Sequence, residues 1–600
     1  MPKIFIKQQN KKLEYKLSKN LLEILLENEI FVDNPCNGKG LCGKCKIRLL
    51  EGNLPAISET EEELLKTEEI NSGVRLSCLV VPKEDITIEL LQKERKHEVL
   101  TTGYLPKFDF KPSIHKEVFE LKKPTLDNQI SFEQSICDTF GVEKLDLWLL
   151  QQNGMTDEKV TGIFNRENLI GIETGDTTDF IYGVAIDIGT TTLVTSLVDM
   201  KTGTEIAIAS MINPQKKFGL DVLTRITYEI ENPKGSKEKL QHTIVNAINE
   251  MTLDMCNKSG IDRKNIYEIS IAANCTMMHF LLGVDATSIG NSPYAPAFIK
   301  SKNILAKEIG LEASPGARLY CLPSVSAYIG ADIVAGAYVC ELHKTCENIL
   351  FIDIGTNGEI VLASRGKLLS CSCAAGPALE GMNISSGMRA ATGAIEEVKI
   401  TESGIEIEVI GGEDPIGLCG SGILAVVKEL IRTGFVKKSG TFIKKETLEV
   451  SDYRYEMIQL DGKKREFILK SSPEQILITQ ADVRQVQLAK GAILSGFYAL
   501  LKQANIDMSK LDKVMIAGQF GAHLPADSLV GTGILPEDIK DKLVYVGNSS
   551  KTGAYMALMS VEVKKQIEEL AHKMDYMELG ASEGYERLFA KCLIFPERIL

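Results

Sequence analysis

The sequence predicts a multidomain α/β protein: a small cysteine-bearing front domain, a linker, a small α+β domain and a large duplicated α/β domain. Three observations carry that prediction. The chain has 600 residues, more than one hydrophobic core organises, which points to about three or four domains. Four of its fourteen cysteines fall in the first hundred residues, and the other ten are scattered. A strand–turn–strand built on Ile-Asp-Ile-Gly-Thr occurs twice, beginning at Ile186 and at Ile352.

Composition narrows the class. With 44% hydrophobic and 25% charged residues, the chain reads as an ordinary soluble globular protein. A net charge of -13 argues against nucleic acid or an anionic membrane as the main partner, because either wants a basic surface. No apolar run reaches the length of a membrane span. The opening stretch "MPKIFIKQQNKKLEYKL" has no signal-peptide core, so a cytoplasmic location is expected. In that compartment the scattered cysteines are reduced, half-buried small residues.

The front domain is assigned to 1–93. Residues 2–18 alternate as strands around the turn "QQNKK". A helix follows in "SKNLLEILLENEI", with Ser18 as a plausible N-cap. Then come a cysteine loop, the strand "KCKIRLLEG", an acidic helix at "SETEEELLKTEE", "RLSCLV" and the strand "DITIEL". That order suits a small β-grasp domain. Cys36, Cys42 and Cys45 read Cys-x5-Cys-x2-Cys, and Cys78 stands far behind. Zinc sites usually show two close pairs, and here the fourth cysteine is alone. The pattern resembles 2Fe–2S ferredoxins, whose plant-type branch runs Cys-x4-Cys-x2-Cys before a distant fourth ligand. A 2Fe–2S cluster held by Cys36, Cys42, Cys45 and Cys78 is therefore expected, with a zinc loop as the alternative.

Residues 94–112 form a linker, where periodicity lapses in "ERKHEVLTTGYLPKFDFK". As a coil of that length it spans roughly 20–25 Å, and roughly 60 Å when stretched. Either it lets the front domain swing, or it packs onto its neighbours. Residues 113–180 hold amphipathic helices near "SFEQSICDTFG" and "LDLWLLQQNG" and read as a small α+β domain without chemistry. Its Trp148, alone of its kind in the chain, is more often core than a docking aromatic.

Residues 181–600 carry the repeat. "GVAIDIGTTTLVTSLVDMKTGTEIAIAS" and "NILFIDIGTNGEIVLASRGKLLSCS" each run strand, turn, strand, turn, strand. "EISIAANCTMMHFLLG" and "KVMIAGQFGAHL" add a second correspondence. Each hairpin brings an Asp, Asp187 or Asp353, to a strand end, where it can hold Mg²⁺ through water or orient a nucleophilic water. Gly189 and Gly355 let backbone N–H groups approach phosphate oxygens. Thr190, Thr191, Thr192, Thr356 and Asn357 add side-chain donors.

That constellation resembles the acetate kinase, sugar kinase, Hsp70 and actin (ASKHA) superfamily, whose members clamp ATP·Mg between two like-folded halves. The resemblance implies that Asp187 to Thr192 form the first phosphate loop and Asp353 to Asn357 the second. Gly518, Gln519 and Gly521 would lie beside the adenosine. Gly420 and Gly422, in "GLCGSGILAVVKELI", open a helix either at the nucleotide or at a tight helix–sheet contact. His279 and His523 are lone histidines, more often structural than ligands or bases. The loop Cys373 to Val398 is either a mobile binding element or a solvated connection.

Three features in this order resemble the reductive activators of corrinoid-dependent enzymes: "PCNGKGLCGKC", a middle domain, and an ATPase with "DIGTTT", "DIGTNGE", "AAGPALEG", "GLCGSG" and "IAGQFGAHL". The resemblance implies an ATP-dependent reduction of an inactive Co(II) corrinoid protein to Co(I). It also implies an unidentified upstream electron donor and a homodimer through the ATPase domain. The loop Glu380–Arg389 would contact the corrinoid face. Ser385 is the leading candidate to approach cobalt and Ser386 the second, unless both only shape a Gly-rich turn. Two alternatives stand beside this reading. One is an ATP-gated electron donor to a non-corrinoid enzyme; the other is a metabolite kinase with a redox-sensing ferredoxin domain.

Overall fold

The computed structural model describes residues 2–596 except 9–10, 16–18, 29, 31, 33–37, 39, 41–42, 44, 66, 92–102, 152–158, 462–463, 472–474 and 519–523. The front domain is a five-stranded sheet ordered Lys11–Glu14, Lys3–Ile6, Ile86–Leu90, Lys46–Glu51, Val74–Leu76. Helix Leu21–Glu27 lies against it through Leu21, Leu22, Ile24 and Leu25. Asn20 caps this helix in a reciprocal box with Glu23, because its side chain is the oxygen placed to satisfy the Glu23 N–H; Ser18 lies outside the described residues. The acidic helix splits into Glu59–Leu64 and Thr67–Asn71. Its Glu61 is buried and takes both Arg75 Nε (3.0 Å) and a terminal Arg75 nitrogen (2.8 Å). That fork locks the strand leading to Cys78.

In the next unit, strands Ile114–Glu120, Lys159–Asn165 and Asn168–Thr174 form an antiparallel sheet. Helix Phe132–Phe140 covers it, with Ile136 and Phe140 packed on Phe164 and Val160. Trp148 seats this unit on the large domain: the Lys307 ammonium stands 4.7 Å over its ring, and a Cβ on Gly316 would meet the ring at 2.7 Å.

The large domain contains two six-stranded sheets. One runs Glu205–Ile212, Thr192–Asp199, Tyr182–Ile188, Ile266–Ala273, Arg318–Cys321, Lys302–Leu305. The other runs Leu543–Gly547, Lys513–Ala517, Ile349–Ile354, Gly358–Ser364, Lys367–Cys373, Met574–Tyr576. Leaving out one edge strand in each, both follow the same plan. An antiparallel three-strand meander comes first, and then a fourth and a fifth strand add in parallel beside the first. The sequence repeat is thus a structural duplication. The central strands "GVAIDI" and "ILFIDI" are almost continuously apolar because both faces are covered. Among the described residues, no helix is long and apolar enough to cross a membrane.

The linker is packed where it is described. Tyr104 N–H donates to Val546 O, Lys111 N–H to Met559 O, and Val561 N–H to Lys111 O. Phe108 meets the Tyr555 ring edge-on at 6.2 Å. The described part of the linker, residues 103–111, is therefore docked on the large domain. Leu91 and Gly103 are separated by twelve peptide steps, which limits their separation to roughly 40 Å.

A buried triad joins these units. Lys564 Nζ bonds Glu268 and, at 3.1 Å, Ser113 Oγ, and Ser113 donates to the other Glu268 oxygen. Glu268 is 0% exposed. Lys564→Ala strands that carboxylate in the interior, and a loss of about 3 kcal/mol is expected. Thermal melting should show it, and pairing Lys564→Met with Glu268→Gln should recover most of the drop.

Candidate functional site

Two sites emerge, one in each terminal part of the chain. In the front domain, Cys45 and Cys78 are buried, and their sulfurs share a 3.2 Å hydrogen bond. That bond pulls the Cys45 thiol down to about 6, giving it the thiolate character that iron and zinc sites require. Gly40 and Gly43 have φ of +72° and +63°, conformations that side chains rarely adopt. The two described cysteines of the expected set are thus buried side by side. Cys36 and Cys42 lie outside the described residues.

In the large domain, the two hairpins face each other across one cleft. Asp187, Gly189, Thr190, Thr191 and Thr192 line it from the first sheet; Asp353, Gly355, Thr356 and Asn357 line it from the second. Gly518 lines it as well, while Gln519, Gly521 and His523 lie outside the described residues. The hairpin tips close in like fashion: Gly189 N–H donates to Thr192 O, and Gly355 N–H to Asn357 O.

Each hairpin is fixed from behind. Asp187 accepts from Ser550 Oγ (2.7 Å) and Asn548 Nδ2 (3.0 Å), both at the start of helix Ser549–Met559. Asn274, the cap of helix Cys275–Leu282, donates to Thr190 Oγ1 at 2.9 Å. The fully buried Arg225 guanidinium holds Thr190 O at 2.6 Å and Gly219 O at 2.8 Å. His279 is structural: its Nδ1 lies 2.7 Å from Cys275 O, and its Nε2 accepts Ala297 N–H.

Two acidic groups that sequence reasoning did not assign join this cleft, Asp332 from the start of helix Ala331–Val339 and Glu359. The carboxylates crowd one another in a poorly solvated space. Burial, then the Asp187 charge, pushes Asp353 up to about 7. Burial, then the charges of Asp353 and Asp187, pushes Asp332 to about 8. Glu359 is raised well above the usual range by burial and by Asp332. Such a cluster holds protons until a cation or a hydrated metal replaces them. Among the described residues, no three His, Cys, Asp or Glu side chains converge to hold a metal by themselves. The cleft encloses only about 130 Å³, less than the several hundred Å³ of pockets that hold nucleotide-sized ligands.

Two expectations are corrected here. Gly420 and Gly422 do not line the cleft. A Cβ on Gly420 would collide with Leu379 O, and one on Gly422 with Ile395 O, so these glycines serve close backbone packing. Glu380 is 1% exposed and sits between the hairpins, so it cannot belong to a corrinoid-facing surface. Ser385 lies outside the cleft and is exposed, its N–H held by Asp482 Oδ1 at 2.8 Å.

Comparisons with known proteins match three segments. Residues 4–83 match the family described as a 2Fe-2S iron-sulfur cluster binding domain. Residues 182–345 match the RACo middle region, and residues 347–600 match the C-terminal domain of RACo, the ASKHA domain. The small α+β unit lies between the matched segments. The chain is 29% identical over 587 residues to the corrinoid activation enzyme RamQ of Eubacterium limosum, covering 94% of each. It is 25% identical over 446 residues to the [Co(II) methylated amine-specific corrinoid protein] reductase of Methanosarcina barkeri, covering 68% of this chain and 76% of that one. A solved structure described as a reductive activator for corrinoid,iron-sulfur protein superposes with a TM-score of 0.71 at 33% identity. That alignment covers 100% of this chain and 99% of the other.

Proposed function

This chain belongs to the RACo family, whose matched relatives are named as activators and reductases of corrinoid proteins, and from that premise we propose what its parts do. It is an ATP-dependent reductase that returns an inactive Co(II) corrinoid protein to Co(I) by transferring one electron. The observation that carries the reading is the end-to-end match at 33% identity, which joins the cysteine domain and the duplicated cleft in one chain. That match favours it over a metabolite kinase or a donor to a non-corrinoid enzyme.

Cys36, Cys42, Cys45 and Cys78 would hold the 2Fe–2S cluster. When bound, the cluster supplies single electrons, at potentials near -400 mV for plant-type ferredoxins. Its upstream donor is a separate, unidentified protein. Asp353 would supply the charge that holds the Mg²⁺ accompanying ATP. Asp187, clamped by Asn548 and Ser550, orients the attacking water. Thr190, Thr191, Thr192, Thr356 and Asn357 bind the phosphates, and Gly518, Gln519 and Gly521 flank the adenosine. The protein works in the cytoplasm as a homodimer through its ATPase domain.

Co(I) is a strong reductant, so the electron travels uphill. A one-electron deficit of roughly 60 mV corresponds to about 1.4 kcal/mol, and ATP supplies it only by biasing a two-state element. In this reading, the ATP-bound form presents the Ser385 loop to the corrinoid, where Ser385 weakens axial ligation of cobalt and eases its reduction. Ser385→Ala is expected to slow Co(I) formation about tenfold; unchanged rate and unchanged complex formation would sink that role. The whole reading is tested by mixing the reduced protein with Co(II) corrinoid proteins, with and without ATP, and following the Co(I) absorption band. Absence of ATP-dependent Co(I) across several such partners would overturn it.

A further inference from the structure

Glu380 ends the short turn Pro377–Glu380, and its carboxylate reaches across the cleft. One oxygen accepts Thr191 Oγ1 at 3.0 Å, from the first hairpin. The other accepts Thr356 Oγ1, from the second. These are two of the hydroxyls that the phosphates would need. A buried carboxylate therefore ties the two halves together across the small cleft, in the place of an anion.

Glu380 is also covalently part of the loop that carries Ser385, and that loop is stiff. A Cβ on Gly381 would collide with Met388 O, and one on Gly387 with Gly381 O, so the two ends of the loop lie backbone on backbone. Its outer part is docked. Met388 N–H donates to Leu418 O and Leu418 N–H to Ser386 O, both at 2.8 Å. Ser386 Oγ accepts Leu477 N–H at 3.0 Å, and Asp482 accepts Ser385 N–H. Movement of Glu380 thus pulls on a closed loop rather than on a slack chain.

We propose that Glu380 is the positioning residue that couples the nucleotide cleft to the Ser385 loop. Without nucleotide, its carboxylate bridges Thr191 and Thr356 and the loop is docked. A triphosphate takes over those hydroxyls, and because each has a single proton to donate, a phosphate oxygen that accepts it displaces the Glu380 carboxylate. Glu380 then leaves the hairpins, turning at Gly381, and the loop is released from Leu418 and Asp482. This inference rests on the ATP-cleft reading above and names the element that ATP biases. The plainer alternative is a static brace, with nucleotide binding beside it.

Hydrogen exchange of the peptide 381–389 distinguishes the two, because the Ser385 and Met388 amides are hydrogen-bonded reporters of docking. In the parent protein, the non-hydrolysable analogue AMPPNP with Mg²⁺ is expected to accelerate exchange there at least fivefold. In Glu380→Ala, which removes the bridge, exchange should be fast already and change less than twofold with AMPPNP. An unresponsive parent loop, or an Ala variant that responds as the parent does, overturns the coupling. Calorimetric titration of the parent with AMPPNP separates the failures. No binding defeats the ATP-cleft reading; binding with an unresponsive loop defeats only Glu380's role. The parent measurement stands even if the variant does not fold.

Discussion

Asp353→Asn is expected to cut ATP hydrolysis and ATP-dependent Co(I) formation by about 10³-fold while making the nucleotide-free protein more stable. On the proposed role, the catalytic loss follows from removing the charge that would hold the hydrated Mg²⁺ of the nucleotide; groups of this kind contribute about 10²–10⁴-fold. The stability gain follows from the crowded carboxylates. Asp353 titrates at about 7 in the folded chain, against about 3.9 for an unperturbed aspartate. Between those values the folded chain binds more protons than the unfolded one, so stability falls as pH rises through that window, and the full penalty is present above about pH 7. Asparagine never bears it. At pH 8 the variant should melt a few degrees higher, by roughly 1–3 kcal/mol, and the gain should vanish below about pH 4. Differential scanning calorimetry at pH 5 and pH 8, beside a hydrolysis assay, checks both halves. An active variant, or one destabilised at pH 8, would contradict this account of the cleft.

Cys78→Ser should abolish Co(I) formation to background while ATP hydrolysis stays within about twofold. The cysteine site and the cleft belong to separate domains. Cys45 and Cys78, their sulfurs 3.2 Å apart, are the two described members of the proposed ligand set. Serine replaces a soft thiolate with an alcohol that stays protonated at neutral pH, so cluster occupancy falls. The readouts are iron and sulfide content, the visible iron–sulfur absorption, and the reduced-state electron paramagnetic resonance signal. Retention of a normal cluster by Cys78→Ser would remove Cys78 from the ligand set.

What was legible in the chain was local. The Cys-x5-Cys-x2-Cys loop, the two Ile-Asp-Ile-Gly-Thr hairpins and the paired strands behind them are short patterns whose geometry is set by neighbours in sequence. Glycines were legible only by half. A glycine marks either a ligand or a close backbone approach, and at Gly420 and Gly422 the approach is to Leu379 O and Ile395 O. Only the packed chain distinguishes these. Asp332 stands in the first turn of helix Ala331–Val339, and no spacing tied it to Asp353.

By itself, the sequence determined that a four-cysteine domain and a duplicated Asp-hairpin cleft share one chain, because both signals reside in contiguous residues. Tertiary structure decided which groups meet in that cleft. Ser550 reaches Asp187 across 363 residues, and Glu380 reaches Thr191 across 189. It also decided that Gly103 to Lys111 is a docked strap rather than a free tether. Such contacts depend on how two sheets close on each other, and closure is a property of the assembled core rather than of any stretch of residues.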